Sequence, residues 1–210
     1  MSVFIGIAGN IGVGKTTFTQ LLSDHFGLDP FFESVIDNPY LEEFYADMSR
    51  WSFHLQIYFL HRRFKTHVAM SENGRGTVQD RTIYEDVEIF ARNLREMGHM
   101  SPRDYENYVD LFEIMTSFLR KPDLIIYLKA STDTLLTRIR GRDRDFERSI
   151  DPEYLFRLNV AYDKWIERIS AREEVLTIDT NRLNVFDDGE QVAIILHTIA
   201  ERLSIKAVTA

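Results

Sequence analysis

Short apolar runs alternate with longer stretches whose apolar positions recur at helical spacing. Val3–Ala8 is such a run and stops at a glycine-rich loop, which predicts a buried strand. Thr17–Phe26 follows as a helix, and Leu28–Phe32 as a second strand ending at Glu33. Leu41–Asp47 and the aromatic-rich Trp51–Met70 read as helices, and Thr77–Gln79 as a short strand closing on Asp80. Helices are predicted over Ile83–Met97 and Arg103–Leu119, then a strand at Leu124–Leu128, where five apolar residues sit between Asp123 and Lys129. Thr132–Arg140 and Pro152–Arg172 are helical, Val175–Ile178 is a last strand and Glu190–Leu203 a last helix. Strands that are apolar throughout and alternate with helices imply an α/β fold, in which a parallel sheet of about five strands is covered on both faces.

Composition narrows the setting. At 210 residues the chain suits one domain, and 44% hydrophobic residues is a globular value. Cysteine is absent, which excludes disulfides and fits a reducing compartment, so a cytoplasmic protein is expected. Met1-Ser2-Val3-Phe4-Ile5 has no basic region ahead of an apolar core, so no signal peptide is expected, nor is any membrane association. A formal net charge of −8 argues against a broad nucleic-acid surface.

Gly9-Asn10-Ile11-Gly12-Val13-Gly14-Lys15-Thr16 satisfies G-x-x-x-x-G-K-[ST] between a predicted strand and a predicted helix. Glycines let backbone N–H groups wrap phosphate oxygens, and the following helix adds its positive end. Lys15 suits the β- and γ-phosphates and the Thr16 hydroxyl suits Mg²⁺, with Thr17 next along the helix. ATP and Mg²⁺ are therefore the expected donor and metal. The guanine-reading N-K-x-D is missing, because no Asn in the chain is followed by Lys. Glu33 and Asp80 each end a predicted strand, the side where doubly wound sheets bind ligands. There a hydroxyl acceptor needs a proton acceptor and Mg²⁺ needs oxygen ligands. Loop or capping acids are the plain alternative for both.

Four stretches together resemble the deoxyribonucleoside kinases, most closely the bacterial deoxyadenosine/deoxycytidine kinase branch. They are the phosphate loop, Glu33 with Asn38–Tyr45, Trp51–Tyr58, and Asp80-Arg81-Thr82-Ile83-Tyr84-Glu85-Asp86. The resemblance runs to about Tyr154 and implies a P-loop kinase fold, one kinase domain over residues 1–210, and an arginine-rich lid at about 141–149. It implies Glu33 as general base, Arg81 orienting it, and Asp80 near Mg²⁺. Tyr45 and Glu147 match the pair that grips the 3′-hydroxyl, Gln56 the amide reading the base edge, and Phe90 the ring stacked on the base. Arg138, Arg142 and Arg144 match the lid arginines. Arg63 and Asp86 match a pair at the floor of the base pocket in relatives that accept purines or deoxycytidine. A homodimer, packed through the long helices after Trp51 and Ile83, is also implied.

The residue chemistry agrees in part. Glutamine offers the donor and acceptor that an adenine edge requires. Arg63 follows Gln56 by two helical turns, and a carboxylate at Asp86 would accept from an exocyclic amine. Gly141 offers the lid a place to bend, and Arg138 and Arg142 are neighbours if the helix continues past it. Two positions depart from the family: Ser34 where many relatives have Pro, and Thr82 in place of Ser. The segment from Glu33 to Tyr45 is short against the animal enzymes, so base contacts from Ile36 to Tyr40 are not carried over. Trp51, Phe53, Tyr58 and Phe59 are assigned to the core, and the six histidines, lacking metal-ligand spacing, to structure or surface. These readings predict transfer of the ATP γ-phosphate to the 5′-hydroxyl of a deoxyribonucleoside, deoxyadenosine first and deoxycytidine next, with thymidine poor and a deoxyguanosine-preferring kinase as the alternative. A nucleoside monophosphate kinase is the competing enzyme, although its acceptor's phosphate calls for extra cations. A nucleotide-dependent switch is the competing binding protein.

Overall fold

The structure is a computed structural model that describes residues 2–33, 38–142, 144, 147 and 150–206. Five parallel strands stand in the order β2-β3-β1-β4-β5: β1 (Phe4–Ala8), β2 (Asp29–Phe31), β3 (Thr77–Asp80), β4 (Leu124–Lys129) and β5 (Val175–Asp179). β1 is central and pairs Ile5 with Val78 on one side and with Leu124 on the other. The chain leaves β1 toward β2 but leaves β4 toward β5, so connections diverge beside β1. That divergence opens a crevice at the carboxyl ends of these strands.

Alternation along the strands divides the core. Ile5, Ile7, Leu124, Ile126 and Leu128 pack with Phe18, Leu22 and Phe26 of α1 (Lys15–Phe26) and with Val192, Leu196 and Ile199 of α9 (Gly189–Leu203). Ala8, Ile125 and Tyr127 face the larger cluster. It is built from α2 (Leu41–Ala46), α3 (Met48–Glu72), α6 (Pro102–Thr116), α8 (Pro152–Ile169) and the helical rod over residues 83–96. That rod is α4 (Ile83–Glu85), a π-helical turn (Asp86–Ala91) and α5 (Arg92–Glu96) in succession. α7 (Thr132–Arg142) follows β4. Among the described residues, no helix is long and apolar enough to cross a membrane.

Several expected boundaries move for identifiable reasons. α3 begins at Met48 because Asp47 accepts a hydrogen bond from the Arg50 N–H at 3.1 Å, an N-cap ahead of the apolar pattern. Ser101 and Asp151 cap α6 and α8 in the same way, each followed by proline at the first helical position. The expectation of wholly apolar strands fails at β3, whose Thr77-Val78-Gln79-Asp80 is polar yet entirely buried, and at half-exposed β2 and β5. Edge strands carry helix cover on less of their surface, and β3 must deliver Asp80. α7 runs through Gly141 to Arg142, so no bend occurs at that glycine.

Gly6 marks a close approach. A Cβ there would meet the Thr82 Cγ2 at 2.6 Å and the Pro122 Cγ at 3.2 Å. Thr82 is fixed by a capping box with Glu85 and cannot swing aside freely. Gly6→Ala is expected to cost about 1–3 kcal/mol through overpacking, or roughly 2–4 °C of Tm per kcal/mol for a chain of this size. Adding Thr82→Ser removes the clashing methyl but keeps the capping hydroxyl, and should recover most of the loss in thermal unfolding. No recovery would place the strain elsewhere.

Candidate active site

The loop between β1 and α1 closes around open space. Gly14 lies at φ 104°, with nothing within 4 Å of where a Cβ would stand, so the turn into α1 leaves room against the loop. Gly9, at φ 148°, is tight instead, since a Cβ would lie 2.6 Å from the Leu128 carbonyl oxygen. Lys15 is buried and its Nζ donates to the Asn10 carbonyl at 3.1 Å. Burial, then Arg81, lower its pKa to about 8, with Asp80 and Glu33 pulling it back up. Asn10 was expected at the nucleotide, but its side chain faces α8. Its Nδ2 donates to the Leu155 carbonyl (2.9 Å) and the Asn159 Oδ1 (2.7 Å), while its Oδ1 accepts from Ile11 N–H (2.7 Å). Gly9 and Asn10 therefore shape the loop, and Ile11 through Thr17 form the cavity wall. Thr16 Oγ1 donates to Asp80 Oδ2 at 2.6 Å; Asp80 Oδ1 is buried without a partner among the described residues.

β3 ends in a buried arginine with an unusual backbone. Arg81 has φ 65°, the left-handed region, which for such a residue costs about 1–3 kcal/mol and persists only when its surroundings hold it. Its N–H continues the sheet ladder to the Ile7 carbonyl at 3.0 Å. Its Nη2 donates to the Gly9 carbonyl at 3.3 Å, its Nε stands 3.4 Å from Glu33 Oε2, and its guanidinium lies over the Phe90 ring at 4.4 Å. Arg63 of α3 donates to Glu33 Oε1 and, with its other nitrogen, to Asp86 Oδ1. One guanidinium thus serves two carboxylates. Burial alone would raise the Glu33 pKa; Arg81, Arg63 and Lys15 outweigh it and hold that pKa at about 2. Asp86 is pushed up to about 6 by burial, against the pull of Arg63.

A cavity of about 710 Å³ connects these groups. Glu33, Tyr45, Gln56, Arg63, Asp80, Arg81, Asp86, Phe90, Arg138, Arg142, Arg144 and Glu147 all line it, so the residues singled out in the sequence converge. Gln56 Oε1 and Asp86 Oδ2 are buried without partners among the described residues, as acceptors held for a ligand would be. Tyr45 is the neighbour of Glu147 and Tyr154, and burial, followed by those two, raises its pKa. The lid arginines divide. Arg142 makes a two-pronged pair with Glu147 (2.5 Å each), and Arg144 stands 3.5 Å from the same carboxylate. Arg138 is one helical turn before Arg142 but points to the Val13 carbonyl (3.1 Å) and to Thr180. Residues 143, 145, 146, 148 and 149 of the expected lid, and Ser34 and Ile36, lie outside the described residues.

Some lining residues escaped the sequence reading. Phe59, taken as core, lies on the Gln56 and Arg63 face of α3, lines the cavity and carries the Arg63 guanidinium over its ring at 4.9 Å. Its spacing of three from Gln56 and four from Arg63 was the available signal. Trp51 packs on the core as assigned and also touches Tyr40, whereas Tyr58 is half-buried outside the core, against Tyr40, Phe59 and His61. Asn181 through Val185, after β5, line the end of the cavity near the phosphate loop, and nothing in their sequence marks them. Among the described residues no cluster of three or more His, Cys, Asp or Glu could hold a metal ion.

Comparison with known proteins agrees with this geometry. The family profile described as Deoxynucleoside kinase matches residues 5–204. A deoxyadenosine/deoxycytidine kinase of Bacillus subtilis is 41% identical over 93% of this chain and 91% of its own. A deoxyadenosine kinase of Dictyostelium discoideum is 44% identical over 90% of this chain and 76% of its own. The fold superposes with a TM-score of 0.85 on a deoxyadenosine kinase from M. mycoides solved with the products dCMP and a flexible dCDP bound. That structure is 31% identical and covers 95% of this chain and 100% of its own. With the profile spanning nearly the whole sequence and the phosphate loop, Glu33 and Arg81 sharing one cavity, the chain belongs to the deoxynucleoside kinase family.

Proposed function

We propose that the chain transfers the γ-phosphate of ATP to the 5′-hydroxyl of a deoxyribonucleoside, with deoxyadenosine and then deoxycytidine as acceptors. The observation that carries this reading is the continuity of the cavity: the phosphate loop forms one part, Gln56 and Asp86 another, and Glu33 lines it with them. A 5′-hydroxyl beside Glu33 gives its proton to that carboxylate as it attacks the γ-phosphorus in line, and the bond to ADP breaks. With a pKa of about 2, Glu33 is ionised at every working pH and is a weak base. Its effect is to orient the hydroxyl and take the proton late, in a transition state where positioning and charge stabilisation dominate. Arg81 orients Glu33 and Lys15 faces the phosphates. Thr16 and the orphan oxygen of Asp80 suit Mg²⁺, which keeps few protein ligands and shares phosphate oxygens. Bound there, Mg²⁺ would neutralise charge on the transferring phosphates.

The acceptor pocket fits a neutral nucleoside better than a monophosphate. Its buried arginines, Arg63 and Arg81, face Glu33 and Asp86 and leave no surplus of positive charge. Tyr45 and Glu147 serve the 3′-hydroxyl, and Phe90 and Phe59 the faces of the base. Gln56 reads its edge, and Asp86 Oδ2 accepts from the exocyclic amine that adenine and cytosine share. Arg142 and Arg144 are the lid groups placed to reach phosphate by leaving Glu147. A homodimer is supported by the exposed apolar row of Leu111, Ile114 and, beyond the end of α6, Phe118, with Val68 of α3 also exposed. Val68 lies on the long helix after Trp51, one of the two helices through which the dimer is proposed to pack.

ADP formation should be measured with no acceptor, with each deoxynucleoside and with each deoxynucleotide. Deoxyadenosine should give the highest kcat/KM, deoxycytidine should be accepted and thymidine should be poor. A monophosphate as the best acceptor, or turnover indifferent to acceptor, contradicts the proposal.

A pH prediction follows from Asp86. Its folded pKa is raised to about 6, so its acceptor oxygen is ionised above that pH and protonated below it. Deoxyadenosine kcat/KM should fall as pH drops through about 6, because free-enzyme ionisations shape that parameter. Asp86→Asn should have a lower plateau with the acid limb gone. An unchanged limb would assign the titration to another group. Arg63 is unsuitable for this test, because its removal also strips Glu33 of a partner.

A further inference from the structure

Gly9, the first residue of the phosphate loop, is gripped by the acceptor side of the site through both of its polar backbone groups. Its carbonyl accepts from Arg81 Nη2 at 3.3 Å, and its N–H donates to Glu85 Oε2 at 3.2 Å. Glu85 is fully buried and is not explained by substrate contact, since it does not line the cavity. Its Oε1 accepts from the Thr82 N–H at 2.8 Å, and its Oε2 also accepts from the Tyr162 hydroxyl at 2.7 Å. Every close neighbour donates, so the geometry is that of an ionised carboxylate, although burial pushes its pKa up.

Each contact of Glu85 falls on a part that must be placed for the reaction. Thr82 follows Arg81 directly, so holding the Thr82 N–H holds the peptide that completes the left-handed turn of Arg81. Gly9 opens the loop that carries Lys15 and Thr16. Tyr162 belongs to α8, which grips Asn10 through Leu155 and Asn159 and stacks Tyr162 on Tyr127 of β4. The next residue after Glu85 is Asp86, where the π-helical turn begins. π-helical turns concentrate at functional sites, where they re-aim side chains.

We propose that Glu85 is a positioning residue that sets Arg81 and the phosphate loop at the distance the transfer requires, acting through Thr82 N–H, Gly9 N–H and the Tyr162 hydroxyl. It touches neither substrate. Its loss leaves the binding surfaces present but misaligned. The inference rests on the kinase reading above, and its test separates the two.

Glu85→Gln keeps the shape but turns an amide N–H₂ toward groups that donate, so the contact to Gly9 or to Thr82 is lost. Steady-state kinetics should show kcat reduced about 10²-fold, the scale of a misplacement originating away from the reacting atoms. KM for ATP and for the acceptor should stay within a factor of about three, the pattern of an interaction needed only in the transition state. Tyr162→Phe removes one of the donors to Glu85 and should give a smaller kcat loss with the same unchanged KM values. A wild-type kcat in Glu85→Gln, at a temperature where circular dichroism shows it folded, overturns the proposal, because a purely structural role lowers Tm and spares kcat. Where Glu85→Gln does not fold, Tyr162→Phe decides: reduced kcat at unchanged KM supports the proposal and wild-type kcat refutes it. Ratios are taken on whichever acceptor the wild type phosphorylates, so failure with deoxyadenosine counts against the substrate reading alone.

Discussion

The guanidinium of Arg63 stands between two carboxylates, Glu33 just after β2 and Asp86 at the start of the π-helical turn. Around it, Lys15, Arg63 and Arg81 are buried together with Asp80, Glu85 and Asp86, and Glu33 lies only partly exposed beside them. Charges taken out of water this way cost several kcal/mol each unless paired and hydrogen-bonded, and removing one partner of such a pair typically costs about 3–5 kcal/mol. The protein meets that demand by sharing cations. Arg63 divides itself between Glu33 and Asp86, and Arg81 divides itself between Glu33 and the Gly9 carbonyl. Burial pushes both carboxylates up; Arg81, Arg63 and Lys15 together hold Glu33 at about 2, whereas the divided Arg63 only partly offsets the burial of Asp86 and leaves it at about 6. The acid nearest several cations stays ionised, while the acid with one divided partner remains open to a further donor.

The sheet makes this network possible. β1, β2 and β3 are neighbours, and their carboxyl ends deliver the phosphate loop, Glu33 and Asp80-Arg81 to one place. Glycines on β1 and just after it allow the approach, since a side chain at Gly6 would strike Thr82 and one at Gly9 would strike the Leu128 carbonyl. α3 brings Gln56, Phe59 and Arg63 along one face, and the rod after Thr82 brings Asp86 and Phe90 opposite. Strain at Arg81 is the consequence of joining a buried strand directly to that rod. It is tolerated because the ladder to Ile7, the bond to Gly9 and the cap from Glu85 fix the turn from three sides.

Much of this was legible in the sequence. Short apolar runs bounded by polar or turn residues marked β1 and β4, because buried parallel strands and amphipathic helices differ in period over stretches long enough to read. The phosphate loop was legible from its glycine, lysine and threonine spacing together with its place between a predicted strand and a predicted helix. Gln56, Tyr45 and Glu147 entered only through family resemblance, and the cavity brings them together with Glu33. Illegible features depend on three-dimensional partners. Nothing local announces that Asn10 turns to α8, that Arg138 is spent on Val13 and Thr180 while Arg142 goes to Glu147, or that the helix after Thr82 widens into a π-helical turn. Glu85 lies within the Asp80–Asp86 stretch, and one of its oxygens forms half of a capping box with Thr82. Its second oxygen, on Gly9 and Tyr162, is visible only once distant segments meet. Polar β3 shows the same limit, since its burial follows from its place inside the sheet rather than from its own composition.

The central claim is that Arg63 ties base recognition to the transfer carboxylate, and a double-mutant cycle tests it directly. kcat/KM for deoxyadenosine would be measured for the wild type, Glu33→Gln, Asp86→Asn and the double variant. Coupling through a shared guanidinium predicts an interaction energy of about 0.5–3 kcal/mol between the two positions. Strictly additive losses would mean that Glu33 and Asp86 act independently, and would contradict the account.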